Sequence, residues 1–332
     1  MSDTAKRLGV IGSGSIVPFH LDALKAAGFE IATIGSRAGS EKTVAVAERY
    51  SATVAHDWKA VIETPGLDAL LIAPETSVTT EILTYALNHT DLPILVEKPI
   101  SYSSADLDSL ANNPSFASRV LVGYNRRQYS STAAAAAFLE AQGVSRATFH
   151  ASIPEASWDP AMSDDRKRGI LLANSVHVLD LLQHLFGELQ IVGVSGVQNE
   201  TGLVSRAVSF RSASGAVGTS IITFGSPSGY FIDLHTPGKS ASLKPIEFFN
   251  EYVAVQVIDP TPEVPLRHYV PTRGAEFKLS QDDLDFKPGF LGQSRELFEL
   301  ASGREIVARR SASLADAARV LRLAEQLLAA DL

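Results

Sequence analysis

In Leu8-Gly9-Val10-Ile11-Gly12-Ser13-Gly14-Ser15-Ile16-Val17 an apolar, strand-like run opens into two closely spaced glycines and then into a helical pattern. The helical pattern runs from Ser15 to Ala27, with Gly28 as its stop. A strand, a glycine turn and a helix in this order make a cradle for a dinucleotide. Gly12 permits the tight turn, and Gly14 lets the backbone approach a pyrophosphate whose charge sits at the helix N-terminus. Ser13, Ser15 and Ile16 complete the loop as candidate cofactor contacts. The third glycine of a G-x-G-x-x-G pattern would fall where the chain has Val17, so a slightly displaced helix is expected.

Outward from this loop, short apolar runs alternate with helical spacing. Glu30 to Ile34, Leu67 to Ala73, Ile94 to Val96 and Val120 to Val122 read as strands. Glu41 to Tyr50, Asp57 to Glu63 and Val78 to Asn88 read as helices. Such alternation implies right-handed βαβ units and a parallel sheet, with ligands at the carboxyl ends of its strands. The pattern changes after Gln128. A helix over Ala133 to Ala141, a strand near Arg146 to Ser152 and a helix over Ile170 to Phe186 are followed by strand-like stretches separated by turn residues. Helices over Phe290 to Ser302 and Ser313 to Ala330 close the chain. The expected fold class is α/β: an N-terminal Rossmann doubly wound parallel sheet, then a C-terminal α+β domain with a large, mostly antiparallel open sheet. The expected division is 1–125 and 126–332, with the last helix able to pack back on the first domain.

With 332 residues, 45% hydrophobic and 20% charged, the composition is that of a soluble globular protein with room for two cores. There is no cysteine, which excludes thiolate chemistry and disulfides. A net charge of −8 argues against nucleic-acid binding, and the absence of a long apolar run argues against a membrane span. The start of the chain lacks the pattern of a signal peptide, so the cytoplasm is the expected location. The histidines show no metal-ligand spacing, and no metal is expected.

The second strand ends in Ile34-Gly35-Ser36-Arg37. An NAD site places a carboxylate here for the ribose 2′-hydroxyl. This chain instead offers a hydroxyl and a guanidinium, which suit a 2′-phosphate. NADP(H) is therefore the expected cofactor, with NAD the alternative. Farther on, Pro93-Ile94-Leu95-Val96 ends in Glu97-Lys98-Pro99. A lysine at that strand end is open to desolvation, which lowers its pKa and makes it a usable acid/base. Pro99 fixes the backbone beside it. Glu97 is placed to hold the lysine or to bond a ribose.

Several segments together resemble the glucose–fructose oxidoreductase / inositol dehydrogenase (Gfo/Idh/MocA) family. They are Gly12-Ser13-Gly14 with His20 beyond, Val96-Glu97-Lys98-Pro99, Val122-Gly123-Tyr124-Asn125-Arg126-Arg127, the apolar helix around His177 and Asp180, and Ser313-Leu314-Ala315-Asp316-Ala317. The resemblance implies a nicotinamide-dependent oxidoreductase acting on sugars, nucleotide-linked sugars, cyclitols or related diols. It makes Lys98 the acid/base and also a cofactor contact, puts Asn125 near the cofactor, puts Tyr124 and Arg127 near nicotinamide or substrate, and implies a homodimer or homotetramer. Many members carry an Asp four residues before the second-domain histidine, where this chain has Ala173. His177 is then expected to bond a substrate hydroxyl, with Asn174 and Asp180 as polar neighbours. Many members also carry a histidine in the segment that here reads Ala73-Pro74-Glu75-Thr76, so Pro74 and Thr76 are the expected cofactor neighbours. Trp158 is a candidate to stack on a sugar ring, and the Arg166-Lys167-Arg168 loop a candidate to grip an anion. Two other readings stay open: a non-catalytic NADP-binding sensor of the same fold, and a reductase of a non-sugar substrate.

Overall fold

The structure, a computed structural model, describes residues 5–330 except 158, 160 and 201. The chain divides into two compact units, residues 1–129 with 281–325, and residues 130–280 with 326–332.

The first unit is built on six strands: β1 (Lys6–Ile11), β2 (Phe29–Gly35), β3 (Thr53–Val54), β4 (Ala69–Ile72), β5 (Ile94–Val96) and β6 (Val120–Val122). Their order is β3-β2-β1-β4-β5-β6, and every pair is parallel. This is the doubly wound arrangement expected from the alternation, with its switch point between β1 and β4. Every residue of β4, β5 and β6 is buried, as a parallel sheet covered on both faces requires. Leu8, Val10, Leu21, Leu24, Ile34 and Leu71 share one core. Val17 is fully buried in that same core. The helix that it opens, Val17–Ala26, begins two residues later than the sequence pattern indicated, because the Val17 amide donates to the Gly14 carbonyl and closes the loop as a turn.

The expected boundary needs correcting at the far end of the chain, where residues 281–325 return to the first unit. Helix Phe290–Ala301 packs on Val17–Ala26 and adds Leu297 and Phe298 to the core. Ala312 bridges to Val122, so the open edge of β6 is partly paired. Helix Leu314–Ala329 is tied in through Glu325, which accepts from the Ser104 amide at 2.7 Å and its hydroxyl at 2.6 Å. The return of the last helix agrees with the expectation; that of Phe290–Ala301 was not expected, because its partners in Val17–Ala26 are far away in sequence and leave no local pattern.

The second unit carries an eight-stranded sheet of β7 (Thr148–Glu155), β8 (Leu189–Asn199), β9 (Gly202–Ser212), β10 (Val217–Phe224), β11 (Phe231–Thr236), β12 (Lys239–Leu243), β13 (Phe249–Ile258) and β14 (His268–Arg273). The order is β14-β13-β12-β11-β7-β10-β9-β8. All neighbours are antiparallel except β7 and β10. Helices Ser130–Gln142 and Val176–Phe186 pack on this sheet. Val192, Val197, Val255, Val257 and Tyr269 stay exposed on it. The Arg166-Lys167-Arg168 run, expected in a loop, lies instead in the short helix Asp164–Ile170, capped by Ser163. Among the described residues no helix is long and apolar enough to cross a membrane, and no His/Cys/Asp/Glu group could hold a metal.

Candidate functional site

The glycine loop leaves β1 at Ile11, where the Gly12 amide donates to Gly35 O and the Ala73 amide to Ile11 O, at 2.9 and 2.8 Å. The carboxyl ends of β1, β2 and β4 thus meet at one edge. Gly12 has φ +114°, and a Cβ there would lie 2.3 Å from Ala73 O, so only glycine closes this turn. A Cβ on Gly14 would meet nothing within 4 Å, so that side of the loop is open. Open space over a helix N-terminus fits a pyrophosphate.

A chain of hydroxyls runs beside the loop. The Thr43 hydroxyl lies 3.0 Å from Ser13 Oγ and 2.6 Å from Ser36 Oγ. Thr43 donates to Ser13, so Ser36 must be the donor to Thr43, and the Ser13 proton is left to point elsewhere. Arg37 follows Ser36 and is exposed. Ser40 caps the next helix, Glu41–Tyr50.

At the other side of the switch point, β5 delivers Glu97 and Lys98 to the same edge. The Glu97 amide donates to Ile72 O at 2.8 Å, which fixes the turn against β4. One Glu97 carboxylate oxygen accepts from the Lys98 amide at 3.1 Å, and the other lies 2.6 Å from His20 Nε2. The Lys98–Pro99 peptide is cis. Pro74 and Thr76 stand at the end of β4, where helix Thr76–His89 begins. Asn125 is 7% exposed, and its amide nitrogen donates to Pro288 O at 3.0 Å.

Two expected substrate contacts sit deeper than their sequence positions implied. Tyr124 is 1% exposed. Arg127 is 6% exposed and pairs with Asp316 at 3.3 Å. Burial raises the Asp316 carboxyl, but Arg127, the Ser313 amide and hydroxyl, and Arg319 outweigh it and hold the group below the ordinary range.

In the second unit, His177 lies in the first turn of Val176–Phe186, and Asp180 one turn on is fully buried. The helix is preceded by a π-helical turn, Leu171–Ser175. Asn174 lies 3.4 Å from Glu155, whose buried carboxylate also accepts from the Ser175 amide and hydroxyl, both at 2.5 Å. Glu155 was not anticipated. A carboxylate closing the otherwise uncharged Ala151-Ser152-Ile153-Pro154 was the signal available for it. Trp158 lies outside the described residues.

Residues 6–123 match the GFO_IDH_MocA family model, described as an oxidoreductase family with an NAD-binding Rossmann fold. Over this span the chain is similar to the nucleotide-binding domain of the Gfo/Idh/MocA oxidoreductases. The residues that carried the resemblance in this domain, from the glycine loop to Glu97-Lys98-Pro99, lie within the matched span. No curated protein matches the sequence. Solved structures share the fold along nearly all of the chain. A levoglucosan dehydrogenase in complex with NADH and levoglucosan is 17% identical with a TM-score of 0.73, covering 97% of this chain and 96% of that one. An oxidoreductase from Agrobacterium radiobacter, in complex with NAD+, L-tartaric acid and magnesium, is 17% identical with a TM-score of 0.72, covering 97% and 95%. A UDP-N-acetylglucosamine 3-dehydrogenase from Acidithiobacillus ferrooxidans is 18% identical with a TM-score of 0.69, covering 96% and 95%. The family model describes this domain as NAD-binding.

Proposed function

We propose that this protein is an NADP(H)-preferring oxidoreductase that interconverts a hydroxyl and a ketone on a sugar, nucleotide-linked sugar, cyclitol or related diol. One observation carries the reading: Lys98 leaves β5 at the same sheet edge at which the glycine loop leaves β1. The names of the levoglucosan and UDP-N-acetylglucosamine dehydrogenases that share the fold support the substrate class. In this reading the Gly12–Ile16 loop holds the pyrophosphate, and Ser36 and Arg37 take the 2′-phosphate. Pro74, Thr76, Glu97 and Asn125 flank the nicotinamide end. A nicotinamide bound there supplies or accepts the hydride. Lys98, as the neutral amine, takes the proton of the reacting hydroxyl, and as the ammonium returns it to the oxygen in the reverse direction. His177 is the second unit's candidate to bond a substrate hydroxyl, with Asn174 and Asp180 as its polar neighbours. The exposed apolar residues of the second-unit sheet support a homodimer or homotetramer.

The substitution of Ala173 for the family's Asp favours a second reading, a nucleotide-binding sensor without turnover. Fluorescence titration with NADPH and NADH, followed by a panel of keto-sugars with NADPH, separates the two. Tighter binding of NADPH and its oxidation by a keto-sugar are expected. Preference for NADH would overturn the roles of Ser36 and Arg37. Nucleotide binding with no oxidation across the panel would favour the sensor.

A further inference from the structure

His20 is completely buried, one turn into the helix that the glycine loop opens. A buried imidazole is a poor core residue unless both ring nitrogens are satisfied. Here Nδ1 is buried without a hydrogen-bond partner. The other nitrogen, Nε2, lies 2.6 Å from Glu97 Oε1. A carboxylate only accepts, so Nε2 carries a proton toward Glu97, and Nδ1 is the ring nitrogen left unsatisfied. A leucine or phenylalanine would fill the same space without that penalty. What histidine adds at this place is one donor, aimed at Glu97.

Glu97 is in turn held from two sides. His20 occupies Oε1, and the Lys98 amide donates to Oε2 at 3.1 Å. Gly123 packs against the same carboxylate, so closely that a Cβ would lie 3.0 Å from Oε1. The Phe290 ring, with its centroid 4.3 Å from that of His20, limits how the imidazole can turn. The turn that presents Lys98 is therefore anchored, through one carboxylate, to the helix whose N-terminus faces the nucleotide.

We infer that His20 is a positioning residue for Lys98, acting through Glu97, and that it couples the nucleotide-binding helix to the lysine turn. This rests on Lys98 being the acid/base. His20→Asn is polar but too short to reach Glu97, whereas His20→Gln keeps both reach and a donor. The test is competitive acetylation of the full-length protein with acetic anhydride over a pH series. Mass spectrometry of peptides follows Lys98 against the exposed Lys25. His20→Asn should change the relative rate at Lys98, or move its pH profile, by roughly threefold or more, the coupling usual within one hydrogen-bond network. His20→Gln should restore the wild-type profile, which a role in core packing alone would not predict. An unchanged Lys98 profile in His20→Asn would overturn the inference, as would equal changes in both variants. Should His20→Asn fail to bind NADPH or to fold, Glu97→Gln decides: it keeps the shape and removes the charge, and must alter the Lys98 profile. Labelling needs no substrate. A wild type that oxidises no NADPH would therefore sink the enzyme reading while the comparison at Lys98 still stands or falls by itself.

Discussion

The hydroxyl of Thr43 donates to Oγ of Ser13 at 3.0 Å and thereby ties the helix after β2 to the glycine loop. Thr43 is 3% exposed, so the bond is shielded from water. With its own acceptor lone pair engaged, Ser13 has its proton free to meet a phosphate oxygen. Thr43→Val keeps the shape and removes the link. One neutral hydrogen bond is worth about 1 kcal/mol, so NADH and NADPH should both bind roughly fivefold more weakly. Fluorescence titration checks this, and unchanged affinities would show that Ser13 is held by other means.

Gly12 makes a second demand on the same loop. Its φ of +114° disfavours any side chain, and a Cβ would approach Ala73 O to 2.3 Å, a backbone atom that cannot rotate away. Gly12→Ala should cost about 1–3 kcal/mol in strain and displace β1 from β4. Urea unfolding measures the stability, and nucleotide titration should show binding largely lost. A stable Gly12→Ala variant with normal affinity would contradict the turn geometry.

How much of this could be read from the sequence depended on distance along the chain. The glycine loop, the order of βαβ units and the strand that ends at Lys98 are local patterns, and periodicity exposes them. The second-unit sheet was legible as turns and alternation, but β14 was not. Its sequence, His268-Tyr269-Val270-Pro271-Thr272-Arg273, contains a proline that speaks against a strand, and it is tolerated because β14 is an edge. Thr43 and Glu155 were missed, and His20 was singled out without its role, for one reason. Each matters through a partner between 20 and 77 residues away, as Glu155 with Ser175 and His20 with Glu97 show. The burial of Arg127 has the same origin, since Asp316 lies 189 positions on.

That last pair contributes to the acid sensitivity of the first unit. Asp316 is held below the ordinary carboxylate range in the folded chain. A depressed folded pKa gives stability that is fully present above the unfolded value of about 3.9 and is lost as pH falls through the folded value. Asp316→Asn takes the carboxylate charge away from Arg127, whose side chain is 7% exposed. The loss at neutral pH should be about 3–5 kcal/mol, the range for removing one partner of a buried pair. Urea unfolding of both proteins at pH 7 and pH 3 tests the sign: the gap between them should narrow at pH 3. A gap that stays constant would mean that the carboxylate charge contributes nothing.

Lys98 is the residue on which the proposed chemistry stands. Its amide is fixed by Glu97 at 3.1 Å, and Glu97 by Ile72 O at 2.8 Å, so the backbone of the turn does not depend on the lysine side chain. Lys98→Met keeps the length and apolar stem and removes the amine. The turn, the glycine loop and nucleotide binding should survive, with NADPH affinity within about threefold of wild type because the pyrophosphate is held by the glycine loop and not by the amine. Turnover of any keto-sugar found for the wild type should fall by about 10²–10⁴, the range for losing a general acid/base. Retention of most of the activity would remove Lys98 from the reaction and leave the proton to another group. A parallel loss of NADPH binding would instead make the lysine part of the nucleotide site, and its assignment would change from proton transfer to binding.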